Sequence, residues 1–226
     1  MDFIRTLSEL YNSNGNEENA YQMHHYFKCK FEFFGIKATL RRKLLNQAVN
    51  QHEEELINNY RGITKQLFHL NQREFHMCAI EIFEKYSRNA YKKEDIDIIQ
   101  QLIEVNSWWD TVDYIAKHIL GKYLRIFPEE TNTVISKFSK SNNLWLVRST
   151  ILFQLSYKSE TNEELLFQVC KINSTSNEFF IKKAIGWALR TYSATNSDWV
   201  EDFVDNHPAL ANLSRKEALR SIKKSA

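Results

Sequence analysis

The sequence predicts an all-helical protein, an α-solenoid of HEAT-like antiparallel helix pairs with a basic concave groove. Three observations predict it. Only 5 Gly and 2 Pro interrupt 226 residues, so few breakers separate long helix-forming stretches. Apolar residues recur at helical spacing, as in Ile96, Ile99, Leu102 and Ile103, rather than in alternation. Segments also resemble one another at a fixed interval, the mark of a repeat architecture.

The elements follow in chain order. The first part is the less regular, and residues 2–11, 17–33 and 39–58 read as three helices, with Gly35 at a left-handed cap position between the last two. Four matching segments follow, at 71–86, 106–120, 143–157 and 178–192, and a fifth opens near Ser214. Aligned on Tyr86, Tyr157 and Tyr192, they bring Glu74, Trp109, Trp145, Phe180 and Arg215 into register 35 or 36 residues apart. Their starts carry capping signals: Asn71 with Glu74, Ser107 with Asp110, Ser214 with Glu217, and Asn143 ahead of Leu144. Between them lie amphipathic stretches at 94–105, 129–138 and 163–172. Each period therefore holds two helices. One pair cannot bury its apolar face alone, whereas a stack of pairs makes a continuous core. No linker is evident, and residues 1–226 read as one domain.

Composition narrows the function classes. Hydrophobic residues make up 43 % of the chain, enough for a packed core. Cys29, Cys78 and Cys170 lie far apart, which reads as buried apolar side chains in a reducing cytoplasm rather than a disulfide or metal set. No apolar run approaches the length of a membrane helix, and the start MDFIRTLSEL reads as a first helix rather than a signal peptide. None of the seven histidines has HxxxH or HExxH spacing, and no GxGxxG, P-loop or GxSxG occurs. The expectation is an enzyme or binding module with no metal and no cofactor, acting as a monomer. The net charge of +2 is modest, but basic residues cluster at 37–43, 182–190 and 215–224.

The chemistry falls on the second helix of each pair. Trp109 and Asp113 are four apart and share a face, and Lys183 and Trp187 do the same two periods later. Arg148 occupies nearly the same position one period after Asp113. A groove lined by Trp, Asp, Arg, Lys and Trp suits nucleic acid: aromatic rings stack on bases and sugars, and Arg148, Lys182, Lys183 and Arg190 can take phosphates. Singly, each residue has a plainer reading, as core tryptophan, surface acid or ion-pair partner. The groove also suits a non-catalytic module for distorted DNA or RNA, and solenoids serve as protein scaffolds. Asp113 between Trp109 and Trp187 separates an enzyme from a binder, and the basic groove separates both from a scaffold.

The segments SWWDTVD (107–113), NNLWLVRSTILFQLSYK (142–158), EELLF (163–167) and FFIKKAIGWALRTYS (179–193) together resemble the AlkD family of bacterial DNA alkylation repair glycosylases. The similarity runs from YFKCKFEFFGI (26–36) to LSRKEALRSIK (213–223). The resemblance implies a HEAT-like fold around duplex DNA and hydrolysis of the N-glycosidic bond of purines alkylated at ring nitrogen three or seven. It implies Asp113 as the catalytic carboxylate, Trp109 and Trp187 beside the damaged nucleotide, Arg148 on the backbone near the lesion, and Tyr26 facing the DNA. Two positions depart from the family pattern: Thr39 stands where a proline is usual, and Lys37 where a DNA-facing glutamine is usual.

Overall fold

The computed structural model describes residues 2–222. The chain divides into two compact units, one running to Asn106 and one starting at Ser107. Each is described on its own terms.

The first unit comprises α1 (Asp2–Ser13), α2 (Glu17–Tyr26), α3 (Ala38–Gln51), α4 (Glu53–Phe68), α5 (Arg73–Ser87) and α6 (Asp95–Glu104). Its core forms where α1, α3, α4 and α5 pack together and α6 closes on α4. Phe3, Leu7 and Tyr11, on one face of α1 at the i, i+4 spacing, are fully buried there. In contrast, α2 buries none of its side chains.

Two expected helices differ in this unit. The helix expected over 17–33 stops at Tyr26. Lys28 and Cys29 adopt left-handed backbone angles, with φ of 55° and 57°, which ends a right-handed helix and leaves Cys29 exposed, whereas Cys78 and Cys170 are buried as expected. Beyond them the chain is extended, Glu32 pairs with Gln72 in an isolated bridge, and Phe31 is buried under the Arg73 guanidinium, 4.0 Å from its ring centroid. Packing distant in sequence therefore overrides local helix propensity. The helix expected over 39–58 is two helices broken at His52, whose φ is −129°.

Gly35 does take the left-handed conformation, φ 81°, but in the loop before α3 rather than at a helix end. A β-carbon there would lie 2.0 Å from the Asn16 carbonyl oxygen. Glu74 is not the capping-box partner of Asn71. Gln72 is at the cap position of α5, and the buried Glu74 carboxylate accepts the backbone N–H groups of Phe34, Gly35 and Ile36 at 2.9–3.2 Å. Burial pushes its carboxyl above the ordinary value, opposed by those bonds.

The second unit comprises α7 (Trp109–Tyr114), a π-helical segment (Ile115–Leu120), α8 (Gly121–Ile126), α9 (Thr131–Ser139), α10 (Leu144–Leu152), α11 (Glu163–Ile172), α12 (Phe179–Ser193), α13 (Ser197–Asn206) and α14 (Asn212–Ala218), with 3₁₀ turns at Pro128–Glu130 and Lys158–Glu160. Helices α7, α10, α12 and α14 pack each on the next, while α9 and α11 pack on α10, and α13 on α12 and α14. This is the two-helix repeat expected from the sequence period. The matched segments open these helices: Trp109 is the first residue of α7, and Trp145 and Phe180 are the second residues of α10 and α12.

The capping expectations resolve one by one. Asn143 caps α10, its side chain accepting the N–H of Trp145. The cap position of α7 is Trp108 and that of α14 is Ala211. The helix expected to run to Tyr157 ends at Leu152. Its first-turn neighbour behaves oppositely: α7 continues through the π segment into α8. Buried residues there recur every four positions, as Val112, Ala116, Leu120 and Leu124. A pure α-helix of 3.6 residues per turn would rotate such a stripe off its neighbour. The wider π turns compensate along its α7 and π-segment part, both of which contact α10. Among the described residues no helix is long and apolar enough to cross a membrane.

Candidate active site

A cavity of about 320 Å³ in the second unit is lined by Trp109, Asp113, Arg148, Phe179, Phe180, Lys183, Trp187, Arg190 and Glu217. Six of these were expected from the sequence. Repeat spacing explains their convergence. Trp109 and Asp113 stand one turn apart on the continuous α7–π helix. Lys183, Trp187 and Arg190 share a face of α12 at spacings of four and three.

At the centre is an ion pair. Arg148 Nε donates to Asp113 Oδ1 at 2.7 Å and Nη2 to Oδ2 at 2.8 Å, a two-pronged contact. Nη1 donates to the Phe180 carbonyl oxygen. Arg148 is only 4 % exposed. Each of its three nitrogens serves a protein acceptor, and its guanidinium holds the Asp113 carboxylate rather than standing open on a groove wall. Burial pushes the Asp113 carboxyl above the ordinary value, the Arg148 pair pulls it back, and Asp110 adds a small upward push. Asp113 keeps 16 % side-chain exposure, towards the cavity it lines.

A second acid was not expected here. Glu217 was read as a capping-box residue with Ser214. Instead its carboxylate accepts from Lys183 Nζ at 3.1 Å and from Arg190 Nη1, while Ser214 Oγ donates to the Lys182 carbonyl oxygen at 2.8 Å. The repeat period contained the signal. Asp113 and Arg148 are 35 residues apart, and Lys183 and Glu217 are 34 apart. Asp113, Arg148, Lys183 and Glu217 thus occupy one repeat position on four successive helices, with acid and base paired in twos.

Trp108 was also missed. Its ring packs 5.6 Å from Trp145 and 5.4 Å from Phe180, and those two are 5.0 Å apart. This cluster supports the start of α7, so that Trp108 turns to its neighbours while Trp109 lines the cavity. Lys182 is half-buried on α12 and lies outside the cavity lining. Tyr26, 68 % exposed at the end of α2, and Lys37, exposed at the start of α3, belong to the first unit. A second cavity of about 380 Å³, lined by Ile151, Leu155, Leu166 and Ala188 among others, offers little chemistry: its Gln154 is bonded to the Asn162 backbone and its Tyr192 to Glu163. Among the described residues no three His, Cys, Asp or Glu side chains converge as a metal site would require.

Helical repeats that raise a half-buried, arginine-held carboxylate into a cavity it shares with two tryptophans, beside further cations, define a class: all-helical repeat proteins with a preformed acid-centred pocket. The sequence model of the DNA alkylation repair enzyme family matches residues 7–222, and the chain belongs to that family. A solved structure described as a predicted DNA alkylation repair enzyme from Enterococcus faecalis is similar to it, with 30 % identity, a TM-score of 0.81, and coverage of 93 % of this chain and 97 % of that one. A search of curated proteins finds no match. Membership of a DNA repair family implies a DNA substrate.

Proposed function

We propose that the protein is a DNA glycosylase that hydrolyses the N-glycosidic bond of cationic alkylated purines, of the 3-methyladenine and 7-methylguanine type, in duplex DNA. The observation that carries this reading is Asp113. It is a carboxylate that lines a cavity with Trp109 and Trp187 and is fixed in direction by Arg148.

The chemistry suits that arrangement. A purine alkylated at ring nitrogen three or seven carries a positive charge. When the bond from the sugar C1′ breaks, the electron pair leaves with the base, which becomes neutral. No acid is needed to protonate it. The positive charge passes to the sugar as an oxocarbenium ion, and a carboxylate held against it stabilises the transition state. Water then adds at C1′ and gives up its proton, with Asp113 placed to accept it, and an abasic site remains. Each Asp113 oxygen takes one hydrogen bond from Arg148 and has a further lone pair to offer. Tryptophan faces attract cationic character in base and sugar. An undamaged purine would leave as an anion, which this site does nothing to assist.

Lys182, Lys183, Arg190 and Lys37 are proposed to meet the backbone, and Tyr26 the DNA beside the lesion. The whole chain is proposed to act as one domain and as a monomer.

The test is release of 7-methylguanine from duplex DNA. The native protein should release it, equally well in chelator. Asp113→Asn should slow release by about a hundredfold or more while retaining duplex binding. A native protein that binds the duplex and releases nothing would be a non-catalytic binding module.

A further inference from the structure

The pocket contains a group that the proposed chemistry does not use. Glu217 stands on α14, and its side chain is 12 % exposed. It joins Lys183 and Arg190, which are 39 % and 26 % exposed and lie two turns apart on α12, on either side of Trp187. Its placement is built into the packing. A β-carbon on Gly186 would come within 2.5 Å of the Glu217 Cβ, so the glycine lets α14 approach α12 at that point. The Ser214 bond to the Lys182 carbonyl sets the register of the two helices.

We infer that Glu217 is a positioning residue that fixes Lys183 and Arg190 as a preformed clamp for one backbone phosphate beside the pocket. The inference rests on the proposed reading of this pocket as the site that receives alkylated DNA. Lysine has three N–H donors and arginine five. Each uses one on Glu217 and keeps others for an incoming anion. Lys183 and Arg190 face one carboxylate, and the exposed Arg220 guanidinium stands 4.0 Å from it as well, so the site is net positive, as a phosphodiester requires. Without Glu217, two like charges on one helix face would repel and their long side chains would spread into solvent. With it, both are drawn to one point over Gly186. Asp113 and the clamp then hold the two ends of the damaged nucleotide, its sugar and its phosphate.

Glu217→Gln keeps the shape and removes the charge. Single-turnover release of 7-methylguanine should fall about tenfold, because misplacement by about an ångström costs up to roughly a hundredfold. Affinity for undamaged duplex should equal or exceed that of the native protein, because two cations lose their neutralising partner. In a protein already carrying Lys183→Ala and Arg190→Ala, Glu217→Gln should have no further effect on release. The clamp is refuted if Glu217→Gln releases base at the native rate, or slows release equally in that double variant. It is also refuted if rate, affinity and melting temperature fall together, as for a purely structural residue. Should the native protein release no base at all, the glycosylase reading fails and duplex binding decides the clamp. Lys183→Ala with Arg190→Ala must then flatten the salt dependence by about one unit of slope, and an unchanged slope overturns the inference.

Discussion

Removing Arg148 separates a carboxylate holder from a phosphate contact. Arg148→Ala deletes both bonds to Asp113 and the bond to the Phe180 carbonyl. Breaking a buried ion pair from one side costs about 3–5 kcal/mol, because the surviving charge stays buried without a partner. Asp113 keeps 16 % side-chain exposure and can recruit water, which places the cost near the lower end, about 3 kcal/mol. For a chain of this size that lowers the melting temperature by roughly 10 °C. The pH dependence gives a second signature. Burial already raises the Asp113 carboxyl and Arg148 opposes it, so without the arginine the folded-state value rises further above the unfolded one. A carboxyl raised on folding favours the folded state below its unfolded value, and that advantage is lost as pH rises through the folded value. The variant should therefore be weakest at neutral pH and recover towards native stability on acidification. Adding Asp113→Asn to Arg148→Ala should restore part of the loss at neutral pH. Thermal melts across the mildly acid to neutral range, with a salt titration of duplex binding, measure all of this. If Arg148→Ala melts like the native protein while the salt dependence of binding flattens by about one unit of slope, the ion-pair account is wrong and Arg148 is a phosphate contact.

Two further outcomes follow from the packing. Gly121→Ala would place a β-carbon 2.4 Å from the Phe153 carbonyl oxygen, where the Tyr157 hydroxyl also donates to the Gly121 carbonyl at 2.7 Å; overpacking should cost about 1–3 kcal/mol and slow base release, because the π segment links this point to Asp113, and native stability would refute it. His76 is buried, and burial and then Arg73 lower its value from 6.5 to about 4, so the unfolded chain takes up a proton that the folded one refuses. Stability should fall by up to about 3 kcal/mol as pH drops from 6.5 to 4, and a His76→Gln protein losing stability just as steeply over that range would rule His76 out.

The sequence by itself determined the repeat. Scarce glycine and proline, apolar helical spacing and a 35-residue period are properties of a linear string, and they determined an all-helical chain with Asp113 and Lys183 at equivalent repeat positions, Trp109 one turn before the first and Trp187 one turn after the second. Stacking identical units brings residues one period apart together, which is why most of the pocket could be read in advance. Tertiary structure decided how those residues pair. Only packing shows that Arg148 is buried and turned onto Asp113, since the same residue one turn along the surface would face solvent. Only packing shows Glu217 crossing Gly186 to reach Lys183 and Arg190, because Ser-x-x-Glu reads equally well as a helix cap. The end of α2 was hidden for a related reason: residues 27–33 have ordinary helical composition, and what unwinds them is the burial of Phe31 against Arg73, more than forty residues away. Local sequence sets what a segment can do, whereas the free energy of burying a side chain against a distant partner decides which of those options the folded chain adopts.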